Sequence, residues 1–334
     1  MLNTDTERKM ETEKRIHKRL AAIIAAEQTQ LALGVVYPCD AVSLESALQI
    51  HAHRLAKVVL VGPPEAIRSV AKASQLNLSG LEIVATPSDP KAAASIGASC
   101  AGRGELAVLM KGSLHTDEFM GAIVSKEAGL RTDARISHVM VCDIPAYHKL
   151  LSLTDCVVNI APNLEQKKHI LTNGVRFQIS LGCQEPKVGI VTAVETVNPS
   201  IPATVDAAAL VEFGQSNGFP KSTVAGPFGF DNVISKDSAR IKHISSSVCG
   251  DPDLILLPDL HSANILYKSL VYLAQTACAG VVVGARIPVV LTSRSESLFS
   301  RLASVAVAIR SARHPYSIDQ RASHAQHHQQ HTTS

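Results

Sequence analysis

Along the first third of the chain, short apolar runs alternate with segments whose apolar positions recur at helical spacing. LALGVVYP, KVVLVGPP, LEIVATPS and ELAVLMKG read as strands, with SLESALQIHAHRLA, EAIRSVAKASQ and PKAAASIGASCAGRG as helices between them. Such alternation predicts βαβ units and a parallel sheet covered by helices on both faces. After a helix around 117–127 the pattern restarts. ISHVMVCDI, CVVNIAP, KVGIVTAV, STVAGPF and DLILLPD are strand candidates with helices between them. A last strand, ARIPVVLTS, runs into the helical segment LFSRLASVAVAI. The expected fold is α/β, with two parallel-sheet α/β domains and a cleft between them. Residues 1–130 with 281–315 would form the first domain, and 131–280 the second.

The two ends read differently. Residues 1–30 are charged and Ala-rich at helical spacing, which predicts a surface helix, a solvated extension or alternatively a partner or dimer helix. Residues 316–334 are polar, rich in Gln and His and without periodicity, which predicts disorder and no specific metal site.

Composition sharpens the fold class. Hydrophobic residues make up 46% of the 334, yet aromatics are 4% and Trp is absent, so the apolar content is aliphatic and suits a helix-covered sheet. A formal net charge of +3, without basic runs, argues against a nucleic-acid partner. Seven scattered cysteines without a CxxC argue against a disulfide framework or structural zinc, and for small buried residues in a reducing cytoplasm. The charged N-terminal segment lacks the apolar core of a signal peptide. The run CAGVVVGA, which stops at Arg286, is too short to span a bilayer.

Open α/β sheets bind ligands beyond the carboxyl ends of their strands, which directs attention to four loops. IPVVLTSRSES ends a strand in hydroxyls and Arg294 just ahead of a helix. Backbone N–H groups, the helix dipole and a planar guanidinium together suit a phosphate. MKGSLHTDEFM offers Lys111 as a point charge, Gly112 for close approach to a ligand, and His115, Thr116 and Asp117 leading into a helix. The plainer reading is a loop capped by Thr116 or Asp117. GPFGFDNVIS carries the polar pair Asp231 and Asn232, for a ligand hydroxyl or amide, or for an Asx-capped turn. PDLHSANIL places Asp259 at a strand end and Asn264 one turn into a helix, with Ser262 as the cap on the plainer reading. The chain has no HExxH, GxSxG, Walker A or strand-following GxGxxG motif. Zinc hydrolysis, a nucleophilic-serine hydrolase and a dinucleotide fingerprint are therefore not expected.

The loops occur in an order that resembles the phosphate acetyltransferase/phosphate butyryltransferase family, in particular the branch fused to enoyl-CoA hydratase-like domains. The resemblance runs from VVYPCDAVSLESAL to LASVAVAIR through LVGPPEAIR, LMKGSLHTDEFM, RISHVMVCDIPAY, DCVVNIAPNLEQK, KVGIVTAVETVNPSIPATVDAAAL, GPFGFDNVIS and GDPDLILLPDL. It implies a fold like that of isocitrate and isopropylmalate dehydrogenases, and a homodimer. The implied reaction transfers an acetyl or butyryl group between coenzyme A and inorganic phosphate, with no metal, no permanently bound cofactor and CoA as a substrate. Ser293 and Arg294 match the family's Ser-Arg pair, for transition-state stabilisation and phosphate binding. Lys111, Gly112, His115, Thr116, Asp231, Asn232, Asp259 and Asn264 are expected to line the substrate cleft.

The chain departs from the family pattern at four places. Ser300 stands six residues past the Arg, where acetyltransferases carry an Asp. Glu296 stands two residues past it, where the butyryltransferase branch tends to carry Asp, and is the candidate base or positioning group. His261 replaces a commonly acidic residue and Ala263 a common Gly. These departures motivate an alternative, a CoA- or acyl-binding module without a catalytic base. A metal- and NAD-dependent dehydrogenase of similar fold is weaker, because the loops lack clustered Asp ligands.

Overall fold

A computed structural model describes residues 4–292 and 296–314. The polar tail expected to be disordered lies outside that range. The chain opens with α1 (Thr4–Ile16) and α2 (Lys18–Ala26). It continues through β1 (Ala32–Val36), α3 (Ala41–Ala52), β2 (Lys57–Gly62), α4 (Pro64–Ala73), β3 (Glu82–Ala85), α5 (Pro90–Gly102), β4 (Val108–Lys111) and α6 (Thr116–Ile123). Helix starts are written locally. Asp40 accepts the Ser43 N–H ahead of α3, and Asp89 caps α5 immediately before Pro90.

The second stretch contains β5 (Ser137–Asp143), β6 (Leu151–Thr154), α7 (Leu164–Ser180), β7 (Lys187–Val191), α8 (Pro202–Gln215) and β8 (Thr223–Phe228). Then come α9 (Phe230–Ile234), α10 (Lys236–Ile241), β9 (Leu254–Leu256), α11 (Leu260–Leu273), β10 (Ala277–Val283), β11 (Val289–Val290) and α12 (Leu298–Arg313).

All eleven strands join one sheet in the order β3-β2-β1-β4-β11-β10-β5-β6-β9-β7-β8. Pairing is mostly parallel, and the exceptions are the central joints β11–β10, β10–β5 and β5–β6. The expectation of parallel sheets thus holds for the flanks, while the centre is antiparallel. Strand sense follows from the pairings. β1, β2, β3, β4, β11 and β5 run one way, and β10, β6, β9, β7 and β8 run the other.

Two local expectations change. CVVNIAP is not a strand; the strand lies just before it, at β6. Asp155 accepts N–H groups from Val157 and Val158, both at 2.9 Å, which turns the backbone out of the ladder. The N-terminal segment is not a solvated extension. α2 buries Leu20, Ile23 and Ile24 against α12, and Glu27, just after α2, pairs with Arg310 and Arg313. Arg19 pairs with the buried Asp143 at the end of β5.

The core has four parts. α2, α3 and α12 cover one face of the β1, β2, β4 and β10 region, and α5 and α6 cover the other. α11 with the short helices covers one face of the β5–β9 region, and α7 and α8 cover the other. α12 is buried along nearly its whole length and packs on β10, β4 and β11, so the final helix ties the sheet together at its middle.

Candidate active site

The carboxyl end of β4, at Lys111, lies beside β11. The parallel register pairs Val290 with Met110. Gly112 N–H donates to the Val36 carbonyl at 2.8 Å, and Ser113 N–H to that of Tyr37 at 2.9 Å. Ser113 Oγ donates to the Tyr37 carbonyl and accepts from Cys39 N–H. The ends of β1 and β4 are thereby stitched into one rim. Lys111 is half-buried, its Nζ donating to the carbonyls of Leu114 at 3.0 Å and Gly112 at 3.3 Å. His115 and Thr116 are exposed, and the cap of α6 is His115 rather than Thr116 or Asp117.

Ser293 and Arg294 lie outside the described residues. Beyond them, Glu296 is half-buried and directly precedes Ser297, whose Oγ accepts the Ser300 N–H at 3.1 Å and caps α12. Ser300 therefore sits in the first turn of α12. The phenol of Tyr267 on α11 is pushed up to about 12, first by burial and then by the charge of Glu296. Cys39, on the β1 rim, is pushed up to about 11 by burial and by Asp40.

The other candidates lie on α9 and at the start of α11. Asp231 and Asn232 belong to α9 and form a cluster with Ser238 and Lys242. Asp231 accepts from Ser238 Oγ at 2.6 Å and pairs with Lys242 at 3.3 Å, while buried Asn232 donates to Ser238 Oγ at 3.1 Å. The Ser238 hydrogen bond, then Lys242, holds the Asp231 carboxyl below its ordinary range. Asp259 caps α11, accepting the Ser262 N–H at 2.8 Å; the cap is Asp259 rather than Ser262. Because β8 and β9 run opposite to β4 and β11, their carboxyl ends leave the sheet at the other edge.

α11 packs on β6 and the core of the β5–β9 region. Near its start Asn264 donates to the Cys156 carbonyl at 3.1 Å, and three residues later Tyr267 feels Glu296. His261 is exposed, and Ala263 is fully buried under the helix. Sequence reading missed Tyr267 and Arg301, which also lies near Glu296. The available signals were a tyrosine in a chain poor in aromatics and an arginine in the mostly apolar first half of a helix. A groove of about 700 Å³ opens elsewhere, among Asn173, Phe177, Arg286 and Ala312, and none of the predicted residues lines it.

Among the described residues no group of three or more His, Cys, Asp or Glu side chains is placed to hold a metal, and no helix is long and apolar enough to cross a membrane. The phosphate acetyl/butaryl transferase family model matches residues 90–309. The chain belongs to this family. Within it, the chain is 43% identical to a phosphate acetyltransferase of Rhizobium meliloti, covering 87% of this chain and 92% of that one. It is 36% identical to a phosphate butyryltransferase of Clostridium beijerinckii, over 83% and 91% of the two chains. Among solved structures, a branched-chain phosphotransacylase from Enterococcus faecalis V583 superposes with a TM-score of 0.76 at 26% identity, covering 85% of this chain and all of that one. Membership places the rim of β1, β4 and β11 in a family whose members are named for transfer to phosphate.

Proposed function

We propose that this protein is an enzyme that transfers a short acyl group, acetyl or butyryl, between coenzyme A and inorganic phosphate. The observation that carries this reading is the 43% identity to a phosphate acetyltransferase over nearly the whole of both chains. In the direction of thioester synthesis, the CoA thiolate attacks the carbonyl of the acyl phosphate. The tetrahedral intermediate then collapses to thioester and expels phosphate; the reverse reaction uses phosphate as nucleophile. A thiol with a reference pKa of about 8.5 needs a base or a positive field at neutral pH.

In this reading Arg294 binds the phosphate through its planar fork, and Ser293 with neighbouring N–H groups stabilises the tetrahedral oxyanion, often the largest catalytic contribution. Glu296 is the base or the group that positions it. Lys111, Gly112, His115 and Thr116 line the phosphate side of the cleft, and Asn264 lines the side formed by α11. Asp231, Asn232 and Asp259 line the cleft from α9 and the start of α11. Residues 1–130 with 281–315, and residues 131–280, are the two sides of the cleft, in a dehydrogenase-like arrangement. CoA is a substrate, and no permanently bound cofactor or metal takes part. Seven free cysteines, five of them buried, support a reducing, cytoplasmic setting. The exposed apolar face of α11 supports a homodimer.

The test is a panel of C2 to C6 acyl-CoA thioesters with phosphate, following free thiol. Phosphate-dependent release is expected with at least one, and its absence throughout would sink the reading. Arg294→Ala should raise the phosphate KM roughly tenfold or more while changing the thioester KM little. An equal loss against both substrates would point to a folding role instead.

A further inference from the structure

Arg301 occupies an unusual position for an arginine. It lies one turn into α12, among Leu298, Phe299, Leu302 and Ala303, all buried in the core. A long basic side chain in such a place normally covers apolar surface with its stem and carries its head to water or to a carboxylate. Arg310 and Arg313 at the far end of the same helix do the latter, both on Glu27. Arg301, half-buried, pairs with no carboxylate among the described residues. Its Nε and Nη1 are buried, and neither has a hydrogen-bond partner.

Three carboxylates surround it, Glu296, Glu45 and Asp40, but none pairs with it; they act on the guanidinium only through their charge. Burial pulls the guanidinium below its ordinary value, and the three charges oppose that pull. An arginine stays protonated regardless, so part of a cation's fork, Nε and Nη1, is held out of water with its donors unused. Such an arrangement costs several kcal/mol unless something completes it.

The surrounding elements say what that is. Asp40 caps α3 straight after β1, and Cys39 beside it is tied to Ser113 at the end of β4. Glu296 follows β11. Arg301 therefore faces the rim where the ends of β1, β4 and β11 adjoin, the same rim that carries Lys111. We propose that Arg301 is a second phosphate-binding arginine of this site, donating to the oxygens of inorganic phosphate and of the acyl phosphate. The inference rests on the acyltransferase reading above and adds to it a residue in direct contact with substrate. Its chemistry follows from the reaction. When CoA attacks, the C–O bond to phosphate breaks and negative charge gathers on the departing oxygens. A preorganised guanidinium meets that charge without reorganisation.

The experiment is a steady-state comparison of the wild type with Arg301→Gln and Arg301→Lys, varying phosphate and thioester separately. Wild-type phosphate-dependent thiol release is established first, so that failure of the reaction itself is separated from failure of this inference. Arg301→Gln should raise the phosphate KM roughly ten- to hundredfold with the thioester KM changed less than about twofold. Arg301→Lys, which keeps the charge but not the fork, should fall between the two. Added guanidinium ion should partly restore the rate of Arg301→Gln, a rescue that a merely structural role would not produce. An unchanged phosphate KM in Arg301→Lys, or a fall in kcat shared by both substrates without rescue, would overturn the proposal. If Arg301→Gln fails to fold, Arg301→Lys alone decides.

Discussion

Gly112 is where the rim of the site tolerates least. A Cβ there would lie 2.6 Å from the Tyr37 carbonyl oxygen and would also strike that of Val36. Both are backbone atoms, so nothing flexible can yield, and β4 would have to part from β1 where Lys111 leaves the sheet. Gly112→Ala is expected to cost about 1–3 kcal/mol of stability and to lower kcat/KM by at least about tenfold, since about 1 Å of misplacement can cost a hundredfold. Gly121→Ala on α6 is the control. A Cβ at Gly121 meets nothing within 4 Å, and the change should leave activity intact and stability level or slightly higher. Urea unfolding and the thiol-release assay on both variants measure this. The sequence marked Gly112 as a close-approach residue but assigned the approach to a ligand. The atoms that need the space are carbonyls of the neighbouring strand, a relation that exists only after β1 and β4 pair.

Among the elements, the flanking strands and helices were legible because they alternate cleanly, each apolar run ending in Pro, Gly or a capping residue. The centre was not. β6 and the loop after it show why, since LSLT is short and half polar while CVVNIAP carries the apolar residues. The side chains decide the matter. Thr154 Oγ1 donates to the His138 carbonyl at 2.8 Å, and Asp155 accepts from His138 N–H and from Asn159 Nδ2. This buried network leaves His138 Nδ1 without a partner, and burial holds the imidazole below its ordinary pKa against the pull of Asp155. The consequence for stability has a definite sign. An imidazole neutral in the fold takes up its proton only on unfolding, so the unfolded chain binds more protons below about pH 6.5. Its stabilising effect is complete above that pH and is lost as the pH falls toward the folded-state value. Between pH 7 and pH 5 the wild type should lose about 1–2 kcal/mol more than His138→Asn in urea unfolding. Equal losses would show that the imidazole is not held neutral.

At the scale of the whole molecule, two α/β units were expected from a pattern that restarts, and the structure joins their strands in a single sheet through antiparallel pairs. No one-dimensional pattern reveals that junction, because a fully buried strand looks alike in either direction. The same gap between sequence and assembly concerns α11. Its inner face, Leu266, Tyr267, Leu270 and Val271, packs on the core. Its outer face carries Ile265 and Tyr272, seven residues apart and 66% and 74% exposed, and its last residue, Leu273, is 84% exposed, with Ile160 at 65% near its start. Contiguous apolar exposure of this kind marks an interface, and a twofold axis would set the stripe against its own copy. Light scattering on the wild type should therefore give twice the 35.5 kDa of one chain. Ile265→Glu with Leu273→Glu should give the monomer mass with an unchanged circular dichroism spectrum. Tyr267 sits on the opposite side of that helix and feels Glu296, so the monomeric variant should also lose activity, through kcat more than through either KM. A wild type that runs as a monomer at micromolar concentration would refute the dimer. A monomeric variant of full activity would show instead that the dimer does not brace the site.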